Sequence, residues 1–326
     1  MAFSTSVLTM NLEAEAERIC GEIRRVVGQV LKRRGVIVAL SGGIDSSCVA
    51  ALCTRALGKD RVFGLHMPER DSSSETLSLS KSISDTFGFE STVEILTPIL
   101  DGLRCYERRD DAIREVFPDF DAKTWKSKIV LGGVGQGYNA YSVVVETPSG
   151  EIKRQRLPLK AYLQVVAATN FKQRTRKMLE YFHGDRLHYA VTGTPNRLEY
   201  DQGFFVKGGD GLADIKPIAH LYKTQVYAMA EHLGVPQDIC NRAPTTDTYS
   251  LPQGQDEFYF SLPYPQMDAC LWGKNHGVPA AEVAAALSLT TEQVEWVYKD
   301  IDQKRSTTRY LHLSPQLCQE VSEITH

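Results

Sequence analysis

A short glycine-rich turn constrains the fold of this chain more than any other feature. Residues 41–47 read Ser-Gly-Gly-Ile-Asp-Ser-Ser, between the apolar run 36–40 and an Ala-, Leu- and Cys-rich stretch of helical character. Adjacent glycines let a backbone approach a ligand closely, and the free N–H groups at a helix start carry partial positive charge. The sequence therefore predicts a strand-to-helix turn that binds phosphate. It is not a Walker turn, which has a lysine before its Ser or Thr.

The turn also contains one carboxylate, Asp45, which we predict to be surrounded by the hydroxyls of Ser41, Ser46 and Ser47. A carboxylate within a phosphate site needs a cation, and Mg²⁺ is expected because it commonly bridges carboxylate and phosphate oxygens. The alternative is a simple turn in which Asp45 caps the helix. That alternative leaves the neighbouring hydroxyls unexplained.

The motif Ser-Gly-Gly-any-Asp-Ser resembles the turn of the ATP pyrophosphatase superfamily, also called N-type or PP-loop ATPases. The resemblance implies that ATP is cleaved between its α and β phosphates, that a substrate oxygen is adenylated and that pyrophosphate is released. It leaves the acceptor open.

Composition excludes several other classes of protein. The 37 basic and 40 acidic residues give a formal net charge of −3, which argues against a general nucleic-acid binder. Seven cysteines form no Cys-x-x-Cys pair and are typical of reduced thiols, and Cys48 and Cys53 are expected to pack in a core. No membrane span or secretory signal is recognisable. We predict a cytoplasmic protein without nucleic-acid or membrane partners.

The pattern of apolar residues predicts an α/β fold with a three-layer parallel sheet and helices on both faces. Its elements are helix 11–33, strand 36–40, helix 45–57, strand 61–66, helix 74–87 and strand 91–96. We expect a single domain over residues 1–326, with an irregular insertion at about 104–160. Within it, the glycine run 132–137 is expected to be a flexible surface segment, and residues 141–152 a β-hairpin that turns at Pro148-Ser149-Gly150.

Regular structure is predicted again for helix 160–182, strand 187–191 and helix 222–233. If strand 187–191 joins the first sheet, Thr194 and Glu199 face the same edge as the phosphate turn. Glu199 would then supply a second metal-binding carboxylate and Thr194 a hydroxyl for ATP. The alternative is an ordinary surface helix start. Lys223 lies in the first turn of its helix, where the helix dipole disfavours a cation, so it needs a partner.

Several further runs resemble the NAD synthetase family in order and spacing, over roughly residues 11–104 and 160–310. They are Thr192-Gly193-Thr194 through Glu199, residues 203–214 (Gly-Phe-Phe-Val-Lys-Gly-Gly-Asp-Gly-Leu-Ala-Asp), Pro217-Ile218, 221–225 (Leu-Tyr-Lys-Thr-Gln) and 243–247 (Ala-Pro-Thr-Thr-Asp). The resemblance implies an ATP pyrophosphatase fold. It also implies that ATP and deamido-NAD form an acyl-adenylate, which ammonia converts to NAD, AMP and pyrophosphate.

Family positions imply the roles of individual residues. ATP would be bound by the segment from Ala39 to Ser46 and its neighbours, that is by Leu40, Ser41, Gly42, Gly43, Ile44, Asp45, Ser46, Ser47, Met67, Thr194, Lys223 and Thr245. Mg²⁺ would be held by Asp45 and Glu199. Deamido-NAD would be contacted by Arg174, Lys207, Asp214, Gln303 and Lys304, although Gln303 departs from the histidine of bacterial relatives.

The expected chemistry depends on cations more than on a general base. A carboxylate that attacks an α-phosphate meets like-charge repulsion, so Lys223 and the Asp45 metal site should stabilise the transition state. In the second step Asp210 is expected to accept a proton from ammonium or the tetrahedral intermediate.

Expected partners follow from the same resemblance. Residue 2 is Ala rather than a nucleophilic Cys, so we expect free ammonia or ammonia from a separate glutaminase. The resemblance also implies that the chain forms a homodimer. Two alternatives stay open, namely a superfamily ligase that amidates a different carboxylate, and a nucleotide-binding module without catalysis.

Overall fold

A computed structural model of the chain describes residues 3–130, 141–242, 249–251, 254, 259–260 and 262–324. The strands are β1 (Val36–Leu40), β2 (Val62–His66), β3 (Glu90–Val93), β4 (Lys126–Val130), β5 (Ser142–Glu146), β6 (Ile152–Arg156) and β7 (Ala190–Val191). The α-helices are α1 (Leu12–Arg25), α2 (Ile44–Leu57), α3 (Ser74–Phe87), α4 (Thr97–Gly102), α5 (Cys105–Arg114), α6 (Leu159–Leu187), α7 (Arg197–Gln202), α8 (Lys223–His232), α9 (Gln237–Cys240), α10 (Tyr264–Asn275), α11 (Ala280–Leu287) and α12 (Thr291–His312).

The main sheet is parallel and has the strand order β3-β2-β1-β7. The chain moves outward from β1 through β2 to β3, and then returns to place β7 on the other side of β1. Such a reversal leaves a crevice between the carboxyl ends of β1 and β7, where ligands bind in open α/β sheets. The predicted meeting of the segments after β1 and β7 is therefore confirmed.

Helices cover both faces of this sheet, as predicted. Alternate residues of β1 point to opposite sides: Val36 and Val38 pack in one core with α1, α2 and α8, whereas Ile37 packs in a second core with α4, α5 and α6. Cys48 and Cys53 lie in the first core, and burial raises the pKa of both thiols. These two cysteines pack in the core, as expected.

Some predicted boundaries were wrong. The helix expected at 11–33 ends as α1 at Arg25 and continues as a π-helical turn over Val26–Val30. The helix expected at 160–182 extends to Leu187, where His188 adopts a left-handed φ of 58° and ends it. Only Ala190–Val191 of the expected strand 187–191 therefore pairs in the sheet.

The segment 104–160, predicted to be irregular, contains one helix and three strands among its described residues. It contains α5 and an antiparallel sheet in the order β4-β5-β6, whose β5–β6 pair is the predicted hairpin. Helix α5 was not predicted because its sequence is rich in charged residues, which are typical of solvated segments. In the structure Arg109 and Asp110 are buried instead. A hydrophobic core joins α5, this sheet and the first half of α6. The glycine run 132–137 lies outside the described residues.

The loop after β2 is fixed by buried charges from the helices beneath it. The Lys172 ammonium on α6 lies 2.8 Å from a Glu69 oxygen and 2.7 Å from an Asp71 oxygen. Arg109 of α5 also pairs with Asp71, and the Tyr106 hydroxyl donates to Glu69 at 2.7 Å. A buried acid is costly unless it is paired and hydrogen-bonded, so these contacts determine the path of the loop.

Among the described residues, no helix combines the length and apolar character needed to cross a membrane.

Lys172→Met should lower the free energy of unfolding by about 3–5 kcal/mol, because methionine fills the space but leaves the buried Glu69 carboxylate without a cation and Asp71 with Arg109 alone. Urea denaturation followed by circular dichroism measures this change. The exposed Lys160 on the same helix provides the control, since Lys160→Met should change stability by less than about 0.5 kcal/mol. Equal stability of the two variants would contradict a role for the buried cluster.

Candidate active site

The turn after β1 has the geometry of a phosphate-binding loop. Gly42 adopts a left-handed φ of 71°, and a Cβ at this position would lie 3.0 Å from the Thr76 carbonyl oxygen, so glycine is required. Gly43 forms the N-cap of α2 with its backbone extended. The hydroxyls of Ser46 and Ser47 donate to the Gly43 carbonyl at 3.1 and 2.8 Å. These hydroxyls stabilise the turn, and the prediction that they surround Asp45 was wrong.

Asp45 instead connects the turn to two distant parts of the chain. One carboxylate oxygen accepts a hydrogen bond from the Asn196 side-chain amide at 3.0 Å, and the other pairs with the Lys223 ammonium. The Asp45 side chain is 17% exposed, whereas that of Lys223 is fully buried. The lysine therefore has its predicted partner, and this partner is the carboxylate of the phosphate turn.

Asn196 and Glu199 form the start of α7, which follows β7 after residues 192–195. The Asn196 side-chain oxygen accepts from the backbone N–H groups of Leu198 and Glu199, and the Glu199 carboxylate accepts from the Asn196 N–H at 3.1 Å. This reciprocal arrangement is a capping box. It holds the Glu199 carboxylate at the sheet edge, and it leaves the Asn196 amide N–H free to reach Asp45.

Lys223 is held in place by a second acid from the C-terminal helices. Asp268 of α10 accepts from the backbone N–H of Lys223 at 3.2 Å and from that of Thr224 at 2.7 Å. A carboxylate at a helix N-terminus satisfies unpaired N–H groups and interacts favourably with the dipole. Burial raises the pKa of Asp268 to about 6, partly offset by these hydrogen bonds. Asp268 thus compensates for the unfavourable placement of a lysine at the start of α8.

The electrostatics of the two site acids fit a bound cation. Burial raises the pKa of Glu199, and the Asp45 charge raises it further, while Lys223 and the Asn196 N–H oppose this shift. A divalent cation would relieve the repulsion between the two carboxylates, and magnesium prefers such oxygen ligands. No cluster of three or more His, Cys, Asp or Glu side chains suited to a metal occurs in the described part of the chain. A cation here would therefore take its other ligands from substrate oxygens or water.

A second group of buried charges also lines the cleft. Lys177 of α6 donates to Glu180 at 2.6 Å, and both side chains are almost fully buried. Asp210 lines the cleft as well and accepts from the Val206 backbone N–H at 2.8 Å. Burial raises the pKa of Asp210, and this hydrogen bond and Lys177 counteract the shift. The arrangement places a weakly acidic carboxyl group inside the cleft.

Most residues predicted to bind ATP line one cleft. These are Leu40, Ser41, Gly43, Ile44, Asp45, Ser46, Met67, Thr194 and Lys223, and Glu199 and Asp210 line it as well. Gly42 packs against α3, and Ser47 is buried behind the turn. Thr245 lies outside the described residues.

The residues predicted to contact deamido-NAD do not line this cleft, as far as the structure describes it. Arg174 donates to the Lys207 carbonyl at 3.3 Å, and the Lys207 ammonium donates to carbonyl oxygens at the end of α12. Asp214 accepts from the Tyr181 hydroxyl and the Val191 N–H. Lys304 pairs with Asp300, and Gln303 is exposed beside it. Arg174, Lys207, Asp214 and Gln303 are exposed, whereas the Lys304 side chain is only 12% exposed.

Sequence reasoning assigned no role to Asn196, Asp268, Lys177 or Glu180. Asn196 was detectable, because Asn followed three residues later by Glu is the signature of a capping box. Lys177 and Glu180 have helix-pair spacing, but that spacing is more often found on a solvated face. Nothing in the sequence connects Asp268 to Lys223, since only the packing of α10 against α8 brings them together.

Asp268→Ala should lower the free energy of unfolding by about 1–3 kcal/mol, because two N–H groups at a buried helix start lose their acceptor. Turnover should fall as well, since Lys223 follows the displaced backbone. Chemical denaturation and steady-state kinetics measure the two effects. The control is Asp238→Ala, which removes an exposed acid from the first turn of α9. A normal turnover in Asp268→Ala would show that this carboxylate does not position Lys223.

Comparisons with known proteins show which family the chain belongs to. A family model described as NAD synthase matches residues 15–117 and 141–310. The chain is 56% identical over 326 residues to an NH(3)-dependent NAD(+) synthetase of Rhizobium meliloti (strain 1021), covering 99% of this chain and 97% of the relative.

Solved structures share the fold at low sequence identity. An NH3-dependent NAD synthetase from Campylobacter jejuni has a TM-score of 0.63 at 21% identity, covering 95% of this chain and all of that one. An NMN synthetase from Francisella tularensis has a TM-score of 0.64 at 19% identity with the same coverage. The fold is thus that of the ATP pyrophosphatase-like enzymes, and on the family match and the full-length relative the chain belongs to the NAD synthase family.

Proposed function

We propose that this chain is an ammonia-dependent NAD⁺ synthase. It would join deamido-NAD to ammonia at the expense of ATP, forming NAD, AMP and pyrophosphate through an acyl-adenylate. The observation that carries this proposal is the fully buried Lys223 ammonium, which meets Asp45 of the phosphate turn within reach of the Glu199 charge. A cation and two acids at a phosphate turn suit adenylation, and the full-length relative supports the acceptor.

Lys223 acts in the first step. Burial alone would lower its pKa, but the charges of Asp45 and Glu199 raise it, so the side chain stays an ammonium. When the deamido-NAD carboxylate attacks the α-phosphate, the bond to the pyrophosphate breaks and negative charge grows on the leaving group. A fixed cation in a water-poor site stabilises that charge without reorganising.

Asp45 and Glu199 are the residues that would hold a magnesium ion. When bound, the ion supplies positive charge that screens the triphosphate from the incoming carboxylate. Both Asp45 oxygens already have a protein partner, but each carboxylate oxygen can accept more than one contact. Asp45 can therefore keep its contacts with Asn196 and Lys223 while it and Glu199 hold the metal ion.

Asp210 acts in the second step. Attack of ammonia on the acyl-adenylate forms a C–N bond, expels AMP and leaves a surplus proton on nitrogen. The raised pKa of Asp210 brings it nearer to the working pH, as suits a general base. The Val206 N–H fixes one carboxylate oxygen and orients the other oxygen.

The surface outside the cleft would serve the dinucleotide. Arg174, Lys207, Asp214, Gln303 and Lys304 would contact the half of deamido-NAD that extends beyond the cleft, at the contact between two subunits of a homodimer. Ammonia would be free or come from a separate glutaminase. The unpaired thiols suit a cytoplasmic location.

One assay distinguishes the proposal from its alternatives. The protein is incubated with ATP, Mg²⁺ and ammonium, and AMP is measured with deamido-NAD, with nicotinic acid mononucleotide and without an acceptor. We expect AMP and NAD with deamido-NAD only. AMP formation only with the mononucleotide would identify a different ligase. The absence of AMP with every acceptor would favour a nucleotide-binding module without catalysis.

Lys223→Ala should reduce turnover by about 10² or more, since it removes a preorganised cation from the developing charge. Pyrophosphate release with saturating substrates measures the loss. Lys299→Ala is the matched control, because Lys299 is exposed on α12. A Lys223→Ala rate within threefold of wild type would remove this residue from the mechanism.

Asp210→Asn should slow NAD formation more than pyrophosphate release, because only the amide-forming step needs a proton acceptor. Both products are quantified in the same reaction over a range of pH at constant free ammonia. The exposed Asp119→Asn should leave the ratio of the two products unchanged. A normal ratio and pH profile in Asp210→Asn would refute the assignment of Asp210 as the base.

A further inference from the structure

His66 has a polar atom with no partner at the edge of the nucleotide cleft. It is the last residue of β2, pairs in register with Leu40 of β1 and is 1% exposed. Its Nδ1 lies 2.9 Å from the Ser80 hydroxyl of α3, and both residues line the cleft. Its Nε2 is buried and has no hydrogen-bond partner among the described residues. A buried polar atom of this kind needs a partner that the protein itself does not supply.

The contacts of Ser80 define which kind of partner His66 needs. The Ser80 hydroxyl lies 3.0 Å from the Leu77 carbonyl, the usual acceptor for a serine within a helix. We assign its single proton to that carbonyl, which leaves its oxygen to accept from the His66 Nδ1–H. In the neutral ring Nε2 is then an acceptor. Burial lowers the pKa of His66 and keeps the ring neutral.

The missing partner must therefore donate a hydrogen bond. On the proposed function the cleft takes ATP, whose phosphate oxygens at neutral pH only accept. Its donors are the exocyclic amino group of adenine and the ribose hydroxyls. Apolar Met67 and Leu77 line the cleft beside His66, and such surfaces suit the faces of a purine base. The chemistry favours the amino group.

We propose that His66 is a specificity-determining residue that selects adenine, with Nε2 accepting a hydrogen bond from the exocyclic amino group. Ser80 is the positioning residue that fixes the tautomer. A purine with a carbonyl in place of the amino group would bring its oxygen, an acceptor, against the Nε2 acceptor. A purine with no substituent there would leave Nε2 without a hydrogen bond. A site built to pair with a donor rejects analogues that lack it.

The test compares binding of ATP and purine riboside 5′-triphosphate, which lacks the amino group. Dissociation constants are measured by calorimetry with Mg²⁺ and no acceptor, so the result does not depend on turnover. Wild type should prefer ATP by roughly tenfold, the effect of one hydrogen bond to an otherwise unsatisfied group. In His66→Leu the preference should fall to within about twofold. A tenfold preference that persists in this variant would overturn the proposal.

Further variants and analogues test whether His66 contacts the adenine base or the ribose. His66→Gln places an amide oxygen near the same position and should restore part of the preference. Ser80→Ala should weaken it because the tautomer is no longer fixed, whereas the exposed Ser78→Ala on the same helix should not. If His66→Leu instead lowers the preference for ATP over 2′-deoxy-ATP or 3′-deoxy-ATP, the assignment to the base is wrong. Failure of deamido-NAD amidation with an intact ATP preference would refute the proposed function but not this inference.

Discussion

The buried ion pair between Asp45 and Lys223 is the interaction on which the rest of the site depends. It joins the phosphate turn after β1 to the start of α8, and the lysine side chain has no exposure to solvent. A buried ammonium without a counter-charge is strongly destabilising, so the carboxylates near it determine its position. The Asn196 amide and the Asp268 carboxylate then fix the two partners from opposite sides. Substrate phosphate would enter a site whose charges are already arranged, which is the condition for electrostatic catalysis.

The topology of the sheet explains why these residues meet. β1 pairs with β2 on one side and with β7 on the other, so segments far apart in sequence leave the sheet at the same edge. The turn at residues 41–47 and the capping box at Asn196 and Glu199 both follow strand ends in the chain. The cation comes from a helix start that α10 supports through Asp268. The first turns of two helices therefore supply both charges of the pair.

The sequence was sufficient to predict the elements whose signal is local. The alternation of strands and helices up to residue 96, the phosphate turn and the hairpin around Gly150 all depend on periodicity or turn chemistry within a few residues. Helix α5 was missed because its charged residues are buried in pairs with the loop after β2, which only tertiary structure shows. Asp268 and the unpartnered His66 nitrogen were inaccessible for the same reason. The residues expected to bind the dinucleotide came from family resemblance, and they lie outside the described lining of the cleft, so that role stays a proposal.

Transfer of oxygen from the acceptor to AMP is the most direct test of the chemistry that this site is built to perform. Deamido-NAD labelled with ¹⁸O in its carboxyl group is converted in the presence of ATP, Mg²⁺ and ammonium, and the AMP is analysed by mass spectrometry. Attack of the carboxylate on the α-phosphate predicts one ¹⁸O atom in each AMP molecule, because the oxygen that bridges the acyl-adenylate leaves with the phosphate. AMP that carries no label while NAD accumulates would contradict adenylation of the acceptor.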